Sequence, residues 1–127
     1  MKKSPITVSS PVALNILAIE ASANQISIAV MIDGEVVAGR QHPAVHGHAA
    51  GIVPLTIETL KDAGMTFDAI THVAAGCGPG SFTGIRVGLA AAKGFCMAHN
   101  ATGVGVSGLQ ALAHAAIDVV SGTKTLF

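Results

Sequence analysis

The segment that decides the fold is Gly76-Cys77-Gly78-Pro79-Gly80-Ser81-Phe82-Thr83-Gly84-Ile85-Arg86-Val87-Gly88. A short apolar run precedes it, and a longer run with helical spacing follows it to about residue 99. Its first glycines permit positive φ angles and a close approach of the backbone. Ser81 or Thr83 can cap the helix that follows. The segment therefore predicts a tight strand-to-helix turn of the kind that α/β proteins use.

The same turn has a second, chemical interpretation. Free backbone amides at a helix start form an anion site, and Arg86 would add a positive charge in the first turn. The segment is not a P-loop, because no Gly-Lys-Ser/Thr ends it, and it lacks the final glycine of a dinucleotide fingerprint. On residue chemistry alone, a capped turn without a ligand is favoured over a phosphate site.

Patterns on both sides of this turn predict the other elements. Residues 26, 28, 30 and 32 are apolar and alternate with other residues, which indicates a half-buried strand, and Asp33-Gly34 is a strong hairpin signal. The predicted strands cover residues 14–19, 25–32, 35–41, 72–76 and 103–106, and the predicted helices cover about 48–63, 82–99 and 108–120. We therefore expect an α/β domain with the order βββαβαβα, in which helices pack on a mixed sheet.

Composition excludes some classes of protein. The chain has 127 residues, of which 50% are hydrophobic and only 11% are charged, so it is not intrinsically disordered. Seven basic and seven acidic residues cancel, which disfavours an independent nucleic-acid binder. The mean hydropathy of +0.61 is high for a small domain with a large surface. We infer that another lobe or subunit covers part of its apolar surface.

The chain divides into three parts. Residues 1–12 are polar with two prolines and are expected to form a flexible leader, residues 13–120 form the domain, and residues 121–127 read as a hinge or a truncation point. A signal peptide is the weaker interpretation of the start, because prolines and polar residues interrupt its apolar run. No run of about 18 apolar residues predicts a membrane helix. Two cysteines fit a reducing compartment, so the expected location is cytoplasmic.

The second helix carries small residues at regular spacing. Gly84, Gly88 and Ala92 recur every fourth residue, with Ala91 beside them. Small residues at this spacing let another helix come close, and we predict that this face is exposed and contacts a partner. A second stripe, at residues 85, 89, 92 and 96, is predicted to face the core.

At the glycine-rich turn the chain becomes recognisable. Residues 78–88 resemble the signature of the TsaB (YeaZ) family of bacterial tRNA threonylcarbamoyladenosine biosynthesis proteins, within the wider glycoprotease-like family. Residues 16–22 resemble the opening strand and turn of that family, and residues 104–107 resemble its third conserved segment, in the right order. The resemblance covers roughly residues 14–116. The signature-loop residues that it singles out are Gly78, Pro79, Gly80, Ser81, Phe82, Thr83, Gly84 and Arg86.

The resemblance implies a fold and a role. The fold is the actin-like, Hsp70-type ATPase fold, which is ribonuclease H-like and whose first lobe begins βββαβαβα. The role is that of a non-catalytic accessory subunit, which pairs with a catalytic paralogue that transfers a threonylcarbamoyl group to the adenosine 3′ of the anticodon. A small ATPase subunit joins the two. Alone, the chain is expected to form a homodimer, to bind no cofactor and to lack catalytic residues, while the wider complex uses ATP and reaches tRNA.

The resemblance also places subunit contacts on the helices of this lobe. Gly88→Leu is expected to block the approach of a partner helix while leaving the fold mostly intact. Arg86 either pairs with an acidic residue of the partner or orients the glycine-rich loop. The predicted partner interface consists of Ile52, Leu55, Thr59, Gly84, Gly88, Ala91, Ala92 and Phe95.

A nucleotide-binding phosphotransferase lobe of the same superfold is the first alternative. It would need a second lobe and a glycine-bearing opening turn. The chain ends at Phe127, and the turn over residues 21–24 contains no glycine. The family's opening turn also begins with Asp and Thr, where this chain has Glu20 and Ala21. A phosphate-binding role for this turn is therefore disfavoured.

A metallohydrolase is the second alternative. His42, His46 and His48 are close in sequence, but Pro43 disfavours a helix there and no Cys, Asp or Glu nearby completes a ligand set. The His-x-x-x-His pair of the catalytic paralogue falls on residues 108 and 112, a Gly and a Leu, which cannot bind metal.

A nucleophilic hydrolase would use Cys77 with His72. Residues five apart on one strand point to opposite faces, which disfavours this pair. No metal or catalytic residue is expected.

Overall fold

The computed structural model describes residues 13–44 and 49–119. The predicted leader and the predicted end segment lie outside these ranges, as do His46 and His48. The elements are β1 (Asn15–Glu20), β2 (Gln25–Ile32), β3 (Glu35–Pro43), α1 (Ala49–Asp62), a 3₁₀ turn (Phe67–Ala69), β4 (His72–Gly76), α2 (Phe82–His99), β5 (Thr102–Val106) and α3 (Gly108–Val119). The predicted order βββαβαβα is confirmed.

One mixed sheet organises the described residues. Its five strands lie in the order β3-β2-β1-β4-β5. The pairs β1–β2 and β2–β3 are antiparallel, whereas β1–β4 and β4–β5 are parallel. The β2–β3 connection is the predicted hairpin, with φ angles of 49° at Asp33 and 89° at Gly34. The mixed sheet that the sequence predicts is therefore present.

The hydrophobic core lies between one face of the sheet and the helices α1 and α2. Alternate residues of β1, β2 and β4 point into it, as the period of two in these strands requires. Two threonines of α1, Thr56 and Thr59, are fully buried, and their hydroxyls donate to the carbonyl oxygens of Ile52 and Leu55 at 2.7 Å. The core residues are Leu17, Ile19, Ala21, Ile26, Ile28, Val30, Ile52, Leu55, Leu60, Ile70, Val73, Ala75 and Ala92.

The opposite face of the sheet is less covered. Ala18, Ala29 and Ala74 lie on it and are only half-buried. The start of α3 lies at one end of this face, where Gly108 and Ala111 line a cavity of about 240 Å³ together with these alanines. None of the helices in residues 13–44 and 49–119 is long and apolar enough to cross a membrane.

The small residues of α2 face this chain's own sheet. Gly84, Gly88 and Ala92 are all buried. A Cβ atom added at Gly88 would lie 3.4 Å from the Cβ atom of Ala21 and 3.8 Å from the Cγ2 atom of Ile19. The prediction that this face is exposed is therefore wrong. The physical reason is that the missing side chains let α2 lie close to β1.

We predict that Gly88→Leu destabilises the fold, because the added side chain has no room between α2 and β1. Overpacking of this kind costs about 1–3 kcal/mol or more, which urea denaturation would measure. Gly94→Leu is the matched control, since a Cβ atom there meets nothing within 4 Å. A helical glycine costs about 0.5–1 kcal/mol relative to alanine, so this control should be neutral or stabilising. Equal destabilisation by the two variants would contradict the packing.

An exposed ion pair joins the edge strand to the first helix. Arg40 on β3 donates from Nε to Oδ2 of Asp62 at 2.6 Å, and its NH1 atom lies 3.4 Å from Oε1 of Glu58. The hydrogen bond from Arg40 lowers the pKa of Asp62 from its ordinary value. The pair joins the end of α1 to β3, although solvent screens its contribution to stability.

We predict that this pair makes a small, pH-dependent contribution to stability. Because the folded-state pKa of Asp62 is depressed, the stabilisation is present above the ordinary pKa of 3.8 and is lost as pH falls through the folded-state pKa. Asp62→Asn should lower the urea midpoint slightly at pH 7, and the difference from the natural chain should vanish in acid. Glu35→Gln, at an exposed residue of the hairpin, is the control. A difference that grows in acid would refute this assignment.

Candidate functional site

The glycine-rich loop forms a tight connection between β4 and α2. Ser81 is the residue that caps α2, because its Oγ atom accepts a hydrogen bond from the N–H of Gly84 at 3.1 Å. Gly78 has a φ angle of +95°, which glycine adopts without strain. Of the two predicted caps, Ser81 fills the position and Thr83 lies inside the helix.

The loop is held by backbone hydrogen bonds on both sides. The N–H of Ser81 donates to the carbonyl oxygen of Ser22 at 2.7 Å, which joins the loop to the β1–β2 turn. A Cβ atom at Gly80 would overlap Ser22, so glycine is needed for this approach. On the other side, the carbonyl oxygen of Gly78 accepts from the N–H of Gly108 at 2.8 Å. Hydrogen bonds therefore join the loop both to the turn after β1 and to the start of α3.

A carboxylate lies at the centre of this arrangement. Oε1 of Glu20 accepts hydrogen bonds from the N–H of Ser22 at 2.8 Å and from its Oγ atom. The same carboxylate lies over Gly76, where a Cβ atom would overlap all three of its atoms. Glu20 is half-buried and also borders the start of α3. In the sequence, Glu20 stands out only as a departure from the family pattern, and no motif indicates its contacts.

A carboxylate and a hydrogen bond between two loops lie where open α/β sheets bind ligands. Between β1 and β4 the chain connections turn in opposite directions, because β1 leads to β2 on one side and β4 leads to β5 on the other. In open α/β sheets, ligands bind at such a point, beyond the carboxyl ends of the strands. Here the direct bond between Ser22 and Ser81 and the carboxylate of Glu20 fill that place. The nucleotide phosphates that the ATPase fold implies would meet a negative charge.

Arg86 lies on the outer side of α2. Its guanidinium carbon is 3.9 Å from the ring centre of Phe82, and the Phe82 side chain is 66% exposed. This stacking holds the cation over an aromatic face. Both roles left open for Arg86 remain, because Phe82 directly follows the glycine-rich loop and a partner can reach the exposed pair.

The predicted interface residues of α1 are also internal. Ile52, Leu55 and Thr59 are buried because they point at the sheet. Ala91 and Phe95 of α2 are half-buried against the core. Since six of the eight predicted interface residues are buried and two are half-buried, this set forms no exposed contact surface.

A different set of residues forms the exposed side of the two helices. Val53 and Ile57 of α1 are 47% and 42% exposed, one helical turn apart. On α2, Leu89 and Met97 are 39% and 76% exposed. These exposed residues were not predicted from the sequence. The available signal was that α1 has apolar residues on two of its sides, of which only one can face the sheet. We define the outer helical surface as Val53, Ile57, Ala90, Gly94 and Met97, whereas Leu89 borders a cavity with β4 and β5.

Among the described residues, those considered for hydrolytic or metal chemistry are not brought together. His72 bonds Thr71 through its Nδ1 atom at 2.8 Å, at the start of β4, whereas Cys77 follows the end of that strand. Nδ1 of His42 lies 3.0 Å from the carbonyl oxygen of Pro43. Within the described part of the chain, no three His, Cys, Asp or Glu residues are placed to hold a metal ion.

Comparison with known proteins gives consistent matches. Residues 41–125 match the family model described as "TsaD: tRNA N6-adenosine threonylcarbamoyltransferase". The chain is 33% identical over 109 residues to the tRNA threonylcarbamoyladenosine biosynthesis protein TsaB of Haemophilus influenzae, which covers 84% of this chain and 44% of that protein. It is 33% identical over 113 residues to TsaB of Escherichia coli, which covers 89% of this chain and 48% of that protein.

A solved structure matches the fold. YeaZ from Pseudomonas aeruginosa superposes with a TM-score of 0.74 at 28% identity, covering 83% of this chain and 49% of that one. The chain thus spans about half the length of the relatives it matches. The expected fold class is confirmed as an actin-like, ribonuclease H-like ATPase lobe. The matched family model, the TsaB relatives and the YeaZ fold together show that the chain belongs to the TsaD/TsaB (YeaZ) family of tRNA threonylcarbamoyladenosine biosynthesis proteins.

Proposed function

We propose that this chain is a non-catalytic accessory subunit in tRNA threonylcarbamoyladenosine biosynthesis and that it pairs with a catalytic paralogue. The observation that carries the proposal is the outer helical surface, where three large apolar side chains of α1 and α2 are exposed. Complete burial of one such side chain contributes about 1.5–3 kcal/mol. Several of them together favour a stable contact with another apolar surface.

The shape of this surface favours a helix as its partner. Ala90, Gly94 and Ala98 recur every fourth residue on the exposed side of α2, and open space surrounds the position of a Cβ atom at Gly94. A partner helix can therefore approach the backbone of α2 closely. Lys93 and Arg86 lie on exposed positions of the same helix. We propose that the facing helix of the partner is apolar along its centre and acidic at its edge.

The other features of the complex are part of the same proposal. The chain would pair with itself through this surface when the catalytic paralogue is absent. A small ATPase subunit would join the pair, and ATP would be used by the complex and not by this chain alone. The net charge of zero supports contact with tRNA only through the complex, because RNA binding depends on basic side chains. The proposed location is the cytoplasm.

We predict that Ile57→Asp prevents pairing while the chain stays folded. The residue is 42% exposed, so the charge is tolerated in the free chain but is left unpaired and desolvated in the complex. The homodimer and the complex with the catalytic paralogue should weaken by at least about tenfold, which corresponds to 1.4 kcal/mol. Light scattering with refractive-index detection would measure the masses, alone and mixed.

Val36→Asp is the matched control for this experiment. Val36 is 63% exposed on β3, away from α1 and α2, and the substitution introduces the same charge. This variant should pair like the natural chain. If Ile57→Asp pairs normally, or if both variants lose pairing equally, the outer helical surface is not the contact and the proposal fails.

A further inference from the structure

The strand β5 forms an open edge of the sheet. It pairs with β4 on one side, and no strand in the described part of the chain pairs with its other side. Toward β4, the N–H of Thr102 donates a hydrogen bond at 3.0 Å and the carbonyl oxygen of Val106 accepts one at 2.9 Å. Because backbone groups alternate in direction along a strand, those of Gly103 and Gly105 point to the open side.

The opposite edge of the sheet is protected against further pairing, whereas β5 is not. The edge strand β3 carries Arg40 and ends in Pro43, and its pairing with β2 is irregular between Val30 and Met31. Charges, prolines and bulges are the features by which natural proteins blunt an edge strand. The sequence of β5, Thr-Gly-Val-Gly-Val, has no charge and no proline, its pairing with β4 is regular, and four of its five residues are exposed. β5 can therefore pair with a further strand.

A cavity of about 250 Å³ lies beside this edge, between β5 and α2. Two glycines of β5 border it, and their missing side chains leave it open. Successive side chains of a strand point to opposite faces, so every second side chain of an added strand would point to the face on which α2 lies. The cavity offers room for such a side chain. We define the β5 groove as Leu89, Lys93, Cys96, Gly103 and Gly105.

Lys93 gives the β5 groove a positive charge. The residue is exposed, and among the described residues that line the cavity it alone is charged. A carboxylate on an added strand would form a charge-assisted hydrogen bond with its ammonium group. The other residues of the groove are apolar or lack a side chain. The groove therefore fits an extended segment that carries apolar side chains and an acidic one on the same face.

The sequence of this chain offers no such segment at a second copy of β5 or outside the described ranges. A second copy of β5 would bring glycines instead of side chains that fill the cavity, and it contains no acidic residue. Residues 1–12, 45–48 and 120–127 contain no Asp or Glu either. Charge complementarity to Lys93 therefore favours a segment of a different protein.

We propose that the β5 groove binds an extended segment of another protein, which adds to the five-stranded sheet beside β5. The backbone groups of Gly103 and Gly105 bond its main chain, an apolar side chain enters the cavity, and a carboxylate meets Lys93. In strand addition of this kind, main-chain hydrogen bonds supply affinity and side-chain pockets supply specificity. The inference goes beyond the pairing proposed above and does not rest on it, because β5 is not part of the outer helical surface.

The probe is a capped synthetic peptide of alternating threonine and valine in which glutamate replaces the central valine. The glutamate and the valines share one face of the extended peptide. The natural chain should bind this peptide saturably in calorimetry, and hydrogen exchange at the amides of Gly103 and Gly105 should slow when it is bound. A peptide with lysine in place of the glutamate should bind at least about tenfold more weakly, because its charge repels Lys93.

Val104→Lys tests the edge of the sheet. A lysine on an edge strand disfavours further pairing, so the affinity for the glutamate peptide should fall at least about tenfold. Val37→Lys is the matched control, because Val37 is 45% exposed on the other edge strand and Val104 is 46% exposed. This control should bind the peptide like the natural chain. Ile57→Asp should also bind it normally, so failure of the pairing proposal and failure of this inference are distinguishable.

Lys93→Glu tests the charge of the groove without altering β5. The residue is exposed on α2, so the chain should stay folded. The order of the two affinities should reverse, with the lysine peptide binding more tightly than the glutamate peptide. A merely structural role of Lys93 would leave that order unchanged.

Four results would overturn the proposal. The first is the absence of saturable binding of the glutamate peptide to the natural chain. The second is peptide binding that Val104→Lys leaves unchanged, or that both edge variants weaken equally. The third is an unchanged order of affinities in Lys93→Glu. The fourth is slowed exchange at Gly103 and Gly105 that increases with chain concentration in the absence of peptide, because a second copy of the chain would then occupy the edge.

Discussion

The close approach of α2 to β1 is the constraint on which the rest of the structure depends. The buried glycine Gly88 leaves the helix backbone near Ala21 and Ile19. This contact fixes the rotation of α2 about its axis and therefore decides which of its residues are exposed. It also brings the start of the helix to the carboxyl end of β1. The outer helical surface and the crevice beside Glu20 both follow from the same packing.

The crevice beside Glu20 lies at the point of the sheet where open α/β folds bind ligands. The sheet order places β1 and β4 side by side, with their connections turning in opposite directions. At this point Glu20 folds back onto Ser22, and the two loops bond directly to each other.

Much of the fold could be predicted from the sequence, since period, turn residues and caps are local signals. The hairpin at Asp33-Gly34 and the cap at Ser81 follow such signals. The orientation of α2 could not be predicted, because the helix has two small stripes with the same spacing. One starts at Gly84 and faces the sheet, and the other passes through Gly94 and faces outward. Spacing alone does not distinguish them.

The candidate site was harder to predict, because its contacts join residues distant in sequence. Ser22 meets Ser81, and Glu20 meets Gly76, only once the sheet has formed. The glycine-rich loop was recognisable, but the carboxylate that occupies the crevice gave no periodic or motif signal. The apolar residues on two sides of α1 carried information about the exposed surface, although they did not show which side faces the sheet.

Methionine oxidation footprinting tests the central claim most directly. Met97 is 76% exposed on the outer helical surface, whereas Met31 is half-buried on β2, on the face of the sheet opposite α1 and α2. If the outer helical surface is the contact, adding the catalytic paralogue will slow oxidation of Met97 and leave Met31 unchanged. Protection of Met31 with no change at Met97 would place the partner on the opposite face of the sheet and contradict the account.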